Sequence, residues 1–396
     1  MEVLVRKKID PVVDEAIETM NMKDGPSRRR LIEGAGLFSA TAAASALIAA
    51  CSSSSSSSAS AKASGSAAAA AAGDFPTTPK WQFWFVNHAD TNSFFTPTQY
   101  GFADAAALLG LPKPNWGGDP NEDIANMVSY MNNAIAAKAS GIALAVVSAS
   151  GFTSVVSNAM SAGIPVLSYN ADGTFVNGKA VIGTNRLCYV GQALYISGQI
   201  MGAQIKSLIP GGGKVGIAIA SPGAGNIQPR YDGAASVLGS DYQVVEINTT
   251  TDTSTEQSKM EAWLLGNKDA KGIFAVDGGS SSYLEGALKA AGSSIPAGGF
   301  DTAAGTLAGV QSGAVNFTIF QDPYLQGFLP TMYMYLYNLS GGQLTPPDTD
   351  TGLTVLNKGN LAQFVKNTRY QGNSATEMYL ARPAGAISNP MATTST

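Results

Sequence analysis

Three consecutive stretches decide the fold: Ile142-Ala143-Leu144-Ala145-Val146-Val147, then Thr153-Ser154-Val155-Val156-Ser157-Asn158-Ala159-Met160-Ser161-Ala162, then Ile164-Pro165-Val166-Leu167-Ser168-Tyr169. The outer two are continuous apolar runs of strand length. The middle one carries its apolar residues at helical spacing. A strand that is apolar on both faces needs cover on both faces, which a half-solvated antiparallel sheet does not provide. Strand, helix and strand in direct succession make a βαβ unit.

The same alternation extends in both directions. Trp81–Val86 reads as a strand, and Pro97–Leu109 and Asn121–Ala139 read as helices. The pattern pauses near Gly183–Asn185 and restarts with a long helix over Tyr189–Leu208. Further strands are expected at Lys214–Ala220, Tyr242–Ile247, Gly272–Val276 and Asn316–Phe320, with helices between them. The sum is an α/β protein of two successive doubly wound lobes. No self-similar period recurs, which excludes a solenoid.

The amino end has a different character. Ser27-Arg28-Arg29-Arg30-Leu31-Ile32 opens an uncharged segment, Gly34 to Ala50, that ends directly before Cys51. A twin-arginine pair, a short Ala/Ser-rich apolar run and small residues before a cysteine read as an export address joined to a lipidation site. The run is shorter than the roughly 20 residues a spanning helix needs. This segment resembles a bacterial lipoprotein signal, with Cys51 taking the lipid and opening the mature chain. Residues 52–73 are nearly all Ser, Ala and Gly and read as a flexible spacer.

Composition narrows the class. Of 396 residues, about 320 remain after leader and spacer, which suits two lobes rather than one core. The leader's basic and acidic residues balance, so the mature part carries the net charge of −4. That balance, without a Lys/Arg stripe, argues against nucleic acid. With Cys51 assigned to lipid, Cys188 has no disulfide partner and reads as a small buried hydrophobe. A single histidine, His88, excludes a His-cluster metal site, and no cofactor is expected. The glycine-rich Gly211-Gly212-Gly213 precedes a strand and lacks the Lys-Ser/Thr of a phosphate loop.

In open parallel sheets, ligands bind beyond the carboxyl ends of the strands. Behind those ends stand His88, Asn92, Phe94 and Phe95; Asn170 and Asp172; Gly223, Gly225, Asn226 and Arg230; Asp277; Phe300 and Asp301; Gln321 and Asp322. Carboxylates and amides exchange hydrogen bonds with hydroxyls, an Arg fork donates to several oxygens, and aromatic faces cover C–H patches. The set suits a neutral polyhydroxylated ligand. Arg230 opens a helix, where a cation is unfavourable, and that placement favours a ligand role. His88 reads first as a structural histidine and second as a contact.

These residues, in this order, resemble the ribose-binding type of periplasmic sugar-binding proteins. Asn92-Ser93-Phe94-Phe95 is similar to the family's Asn-Pro-Phe-Phe element, with Ser93 for the proline. Ala162-Gly163-Ile164-Pro165-Val166 resembles the turn before its Asp or Asn ligand, here Asn170 with Asp172 nearby. Arg230 and Gly233 match an Arg-x-x-Gly helix. Phe274-Ala275-Val276-Asp277, Gly299-Phe300-Asp301 and Gln321-Asp322-Pro323-Tyr324-Leu325-Gln326-Gly327 resemble three further elements. The resemblance spans about Lys80 to Thr354 and implies two Rossmann-like lobes of the type I periplasmic-binding class, joined by crossing hinge segments.

It implies that Phe94 and Phe95 stack on a simple sugar or polyol while Asn92, Asn170, Arg230, Asp277, Asp301 and Gln321 hydrogen-bond to it. His88, Asp172, Asn185 and Phe300 form a second rank of contacts. The Arg that often follows the first-lobe Asp is missing after Asn170, so ribose itself is not implied. The expected lobes are 74–185 with 322–350, and 186–321 with 351–381, followed by a tail over 382–396. The implied role is a non-enzymatic, monomeric solute receptor on the extracytoplasmic face of the cell membrane, lipid-anchored and docking on an ABC permease. A sensing subunit with the same domain is the alternative. A glycosidase using Asp277 and Asp301 ranks behind both.

Overall fold

The computed structural model describes residues 77–377, apart from 177, 178, 251 and 367, all within one unit of the chain. The leader, Cys51, the spacer and the tail over 382–396 lie outside the described residues.

The first lobe runs β1 (Phe83–Asn87), α1 (Thr96–Leu108), β2 (Asn115–Gly118), α2 (Ile124–Ala136), β3 (Gly141–Val146), α3 (Thr153–Ser161) and β4 (Val166–Asp172). A hairpin of β5 (Thr174–Val176) and β6 (Lys179–Val181) follows, then β7 (Tyr189–Gly191). The second lobe runs α4 (Leu194–Leu208), β8 (Gly213–Ile219), α5 (Gln228–Leu238), β9 (Tyr242–Asn248), α6 (Thr253–Gly266), β10 (Gly272–Ala275), α7 (Gly278–Ala290), β11 (Ala297–Phe300), α8 (Ala304–Ser312) and β12 (Phe317–Phe320). The chain returns through α9 (Leu325–Leu339) and β13 (Thr349–Asp350), then crosses again to β14 (Thr354–Leu356).

The two sheets are ordered β13-β7-β4-β3-β1-β2 and β14-β12-β11-β10-β8-β9. Neighbours are parallel throughout except β12 with β14.

β3 shows why the opening stretch forms a buried strand. Ile142, Leu144 and Val146 point into a cluster with Met127, Met131 and Phe152. Ala143 and Ala145 point the other way, where their small size leaves room for Phe83, Phe85, Phe102 and Tyr169. β10 repeats the device, with Ile273 and Ala275 on one side and Phe274 on the other. Burying a large apolar side chain contributes about 1.5–3 kcal/mol, and both faces of each sheet are built this way. Side-chain caps fix several helix starts. Asp123 accepts from the amides of Ala125 and Asn126, and Asp252 from that of Ser254.

Two segments depart from the sequence reading. The helix expected from Tyr189 begins at Leu194, because Tyr189 and Val190 pair with Ser168 and Tyr169 as an additional strand of the first sheet. The chain therefore stays in the first lobe through Gly191, past the boundary expected at 185. After β14 the chain also returns to the first lobe. Arg369 pairs with Asp104 on α1 (Nη2–Oδ1 2.6 Å, Nε–Oδ2 3.0 Å) and lies 4.2 Å over the Tyr100 ring. Part of the stretch expected in the second lobe is thus a strap across both.

α4 and α5 cross with their backbones almost touching. A Cβ on Gly198 would lie 2.1 Å from the carbonyl oxygen of Arg230, and one on Gly233 would lie 2.1 Å from that of Tyr195. This crossing sets the start of α5. Gly198→Ala is expected to lower stability by about 1–3 kcal/mol through overpacking, read as a lower thermal unfolding midpoint.

Candidate functional site

A cleft of about 680 Å³ lies between the carboxyl ends of the two sheets. Asn92, Phe94, Phe95, Asn170, Arg230, Asp277, Asp301 and Gln321 all line it, as does His88. Asp172, Asn185 and Phe300 do not. Asp172 is taken by Arg186 (Nη2–Oδ2 2.5 Å) and by the Ser168 hydroxyl, and Asn185 is exposed away from the cleft. Phe300 lies beneath Arg230, whose guanidinium carbon sits 4.3 Å from the ring centroid. It positions the arginine from behind.

Arg230 is 3 % exposed. Its Nε donates to Gln192 Oε1 at 3.1 Å and its Nη1 to the Val276 carbonyl at 2.9 Å. Nη2 has no protein partner among the described residues. Burial pushes the arginine's pKa down, and the nearby negative charges of Asp301 and Asp277 push it back up. A buried guanidinium held on one edge and free on the other is a fork for ligand oxygens.

Asp301 stands opposite in charge. Its Oδ1 accepts from Gln321 Nε2 at 2.7 Å, and its backbone has φ of 66°. That left-handed conformation is uncommon outside glycine and recurs at functional sites. Asn170 (φ 62°) shares it from the first lobe. Asp277 plays a more structural part: it caps α7 through Ser280 N (2.8 Å) and accepts from Ala220 N (3.0 Å). Burial raises both aspartates' pKa values, and Arg230 draws that of Asp301 back down.

Asn92 is exposed and uses its Oδ1 on the amide of Phe94, so only its Nδ2 is left to donate. Phe95 is buried in the first-lobe core, with Phe94 edge-on to it at 4.8 Å. His88 is 6 % exposed and burial lowers its pKa to about 4, so the ring is neutral at neutral pH. Its Nε2 meets Asn226 Nδ2 of the second lobe at 3.4 Å.

A chain of amides joins the lobes behind the cleft. Asn170 Nδ2 donates to Gln326 Oε1 (3.0 Å), Gln326 Nε2 to Gln321 Oε1 (3.0 Å), and Gln321 Nε2 to Asp301. Thr351, on the third crossing, donates its hydroxyl to the Gln321 carbonyl (2.7 Å), and Gln192, on the first, donates to the Gly352 carbonyl (3.1 Å). First-lobe and second-lobe site residues are therefore wired to all three crossings.

The lobes also touch directly. A Cβ on Gly225 would stand 1.8 Å from the carbonyl oxygen of Gly173.

A model of the periplasmic binding protein domain matches residues 83–343. The chain is 40% identical, over 314 residues, to a xylose/arabinose-binding protein, XylF, of Sulfolobus acidocaldarius, covering 76% of this chain and 77% of that one. The chain belongs to the periplasmic binding protein family. It is a binding protein and not an enzyme, and the paired aspartates serve a cap and an amide chain rather than hydrolysis. Solved structures share the fold. One is an ABC transporter solute-binding protein of Burkholderia graminis in complex with D-arabinose (TM-score 0.66, 24% identity, 74% of this chain and all of that one). Another is a carbohydrate transporter protein of Acidothermus cellulolyticus in complex with myo-inositol (TM-score 0.63, 22% identity, 75% and all).

The binding protein brings further residues to the cleft that the sequence reading left out of its ligand set: Asn226, Glu122, Glu256, Tyr283 and Gln371. Asn226 stood among the strand-end residues. Gln326, fully buried, belongs to the Gln321–Gly327 motif, but nothing in that motif marks it as the central link of the amide chain.

Proposed function

We propose that this protein captures a simple sugar of the aldopentose class between its lobes and delivers it to an ABC permease. The observation that carries the reading is the convergence of Arg230, Asp301, Asn170 and Gln321 on one cleft walled by Phe94 and Phe95. The 40% identity to a xylose/arabinose-binding protein supports a pentose over larger solutes. Phe94 covers the ring's C–H face with Phe95 packed edge-on behind it, Arg230 and Asp301 bracket its hydroxyls from the second lobe, and Asn170 contributes from the first. Lobe closure rotates about the three crossings, and the amide chain through Gln326 transmits it.

In this reading residues 1–50 export the chain, Cys51 carries the lipid, and 51–73 hold a monomeric receptor off the outer face of the membrane. Cys51→Ala is expected to release the protein into the soluble extracytoplasmic fraction, seen by fractionation. Calorimetric titration of the full chain with D-xylose, L-arabinose, D-arabinose, hexoses and inositol tests the ligand class. One-site binding of a pentose is expected. Binding of a hexose or inositol with no pentose response contradicts the pentose assignment.

A further inference from the structure

Glu256 borders the cleft as a deeply buried carboxyl without a hydrogen-bond partner among the described residues. It lies in the first turn of α6, is 2 % exposed, and makes no hydrogen bond or ion pair among the described residues. A buried carboxyl without partners is unfavourable unless something completes it. Among the described residues no cation pairs with it. Asp252 caps its own helix, Asp277 faces it from the start of α7, and Lys259 in the next turn acts on Asp252 instead. Glu122 and His88 stand across the cleft and Asp301 and Arg230 border it on the same lobe, none of them bonded to Glu256.

The approach to Glu256 is kept open by Gly279. A Cβ there would lie 2.5 Å from Glu256 Oε1. The carboxyl thus lies against bare backbone at the mouth of α7, beside the end of the cleft formed by Ser282 and Tyr283.

We propose that Glu256 is a ligand-contacting residue that hydrogen-bonds a hydroxyl of the captured sugar. This rests on the sugar-binding reading above. A neutral carboxyl both donates and accepts, which suits a hydroxyl, and the contact completes a group that the fold leaves bare. Burial and the charges of Asp277 and Asp252 hold its pKa up at about 8, so the acid form prevails at neutral pH.

The sign follows. A carboxyl raised in the folded state contributes full stability below its ordinary range and loses it as pH rises through about 8. Sugar affinity falls over the same upper range.

The test is titration of the full chain and of Glu256→Gln and Glu256→Ala with D-xylose and L-arabinose from pH 6 to 9, with unfolding midpoints of the unliganded proteins. Wild-type affinity is expected to weaken above pH 8. Glu256→Gln, which still donates and accepts, should keep affinity across the range. Glu256→Ala should lose about tenfold or more while its unliganded midpoint at pH 9 rises. A purely structural residue would lower the midpoint instead. Wild-type binding of either pentose that both variants reproduce, with the same pH profile, overturns the inference alone. Failure of wild type to bind either pentose at any pH overturns the pentose reading and this inference with it.

Discussion

Arg230→Ala is expected to abolish useful sugar capture. The guanidinium interacts electrostatically with the buried Asp301 and Asp277, and its removal takes away the positive charge that draws the Asp301 pKa down. Losing a buried charge together with the hydrogen bonds it would give the sugar costs about 2–5 kcal/mol, which is roughly 30-fold to several thousand-fold in affinity. Arg230→Lys should recover little. An ammonium cannot keep Gln192 Oε1 and the Val276 carbonyl while still presenting a free donor edge, nor lie flat on Phe300. Gln192 sits on the first crossing, so the substitution also loosens the link between the site and the hinge. Calorimetry checks affinity, and circular dichroism checks that both lobes remain folded.

Gly225→Val should separate folding from closure. The added Cβ would lie 1.8 Å from the Gly173 carbonyl oxygen, across the lobe boundary and far inside van der Waals contact. Neither lobe's core contains residue 225, so each lobe should fold and melt much as before. The closed arrangement, however, would be blocked. If the clash raises the closed state by about 3 kcal/mol, apparent affinity falls roughly 100-fold, because only the closed fraction binds tightly. Small-angle scattering should show no compaction on adding sugar. An unchanged affinity would mean that this contact plays no part in capture.

Much of this was legible in the sequence because both faces of a doubly wound sheet are buried. Ile142–Val147 had to be apolar throughout, and the residues behind each strand end had to be the ones facing the cleft. Arg230, Asp301 and Gln321 were found by that rule alone. Where the rule fails, the physics is local. β2 is Asn-Trp-Gly-Gly, an edge strand with no apolar run to announce it. β7 reads as the start of the following helix because Tyr189 and Val190 continue that helix's apolar spacing. The β5–β6 hairpin hides in the pause before Gly183, although Asn177-Gly178 between apolar neighbours is a hairpin signal.

Asp172 was a near miss of another kind. It sits close in sequence to Asn170, but the Arg186 ion pair claims it, and pairing of side chains distant along the chain is invisible to strand-end reasoning. Glu256 escaped for the opposite reason: an acidic residue in the first turn of a helix looks like ordinary dipole compensation. Only the packing of α7 against it shows that the carboxyl is buried and bare. The return of the chain to α1 through Arg369 likewise depends on an ion pair with Asp104, far away in sequence.

The central claim is that a sugar occupies the cleft between the sheets, and crystallography of the protein grown with L-arabinose tests it most directly. The account predicts a pyranose ring resting on Phe94, with hydroxyls bonded to Arg230, Asp301 and Asn170 and both lobes closed at Gly173 and Gly225. A saturating sugar concentration that leaves this cleft without a ring, or a ring bound elsewhere on the molecule, would contradict it.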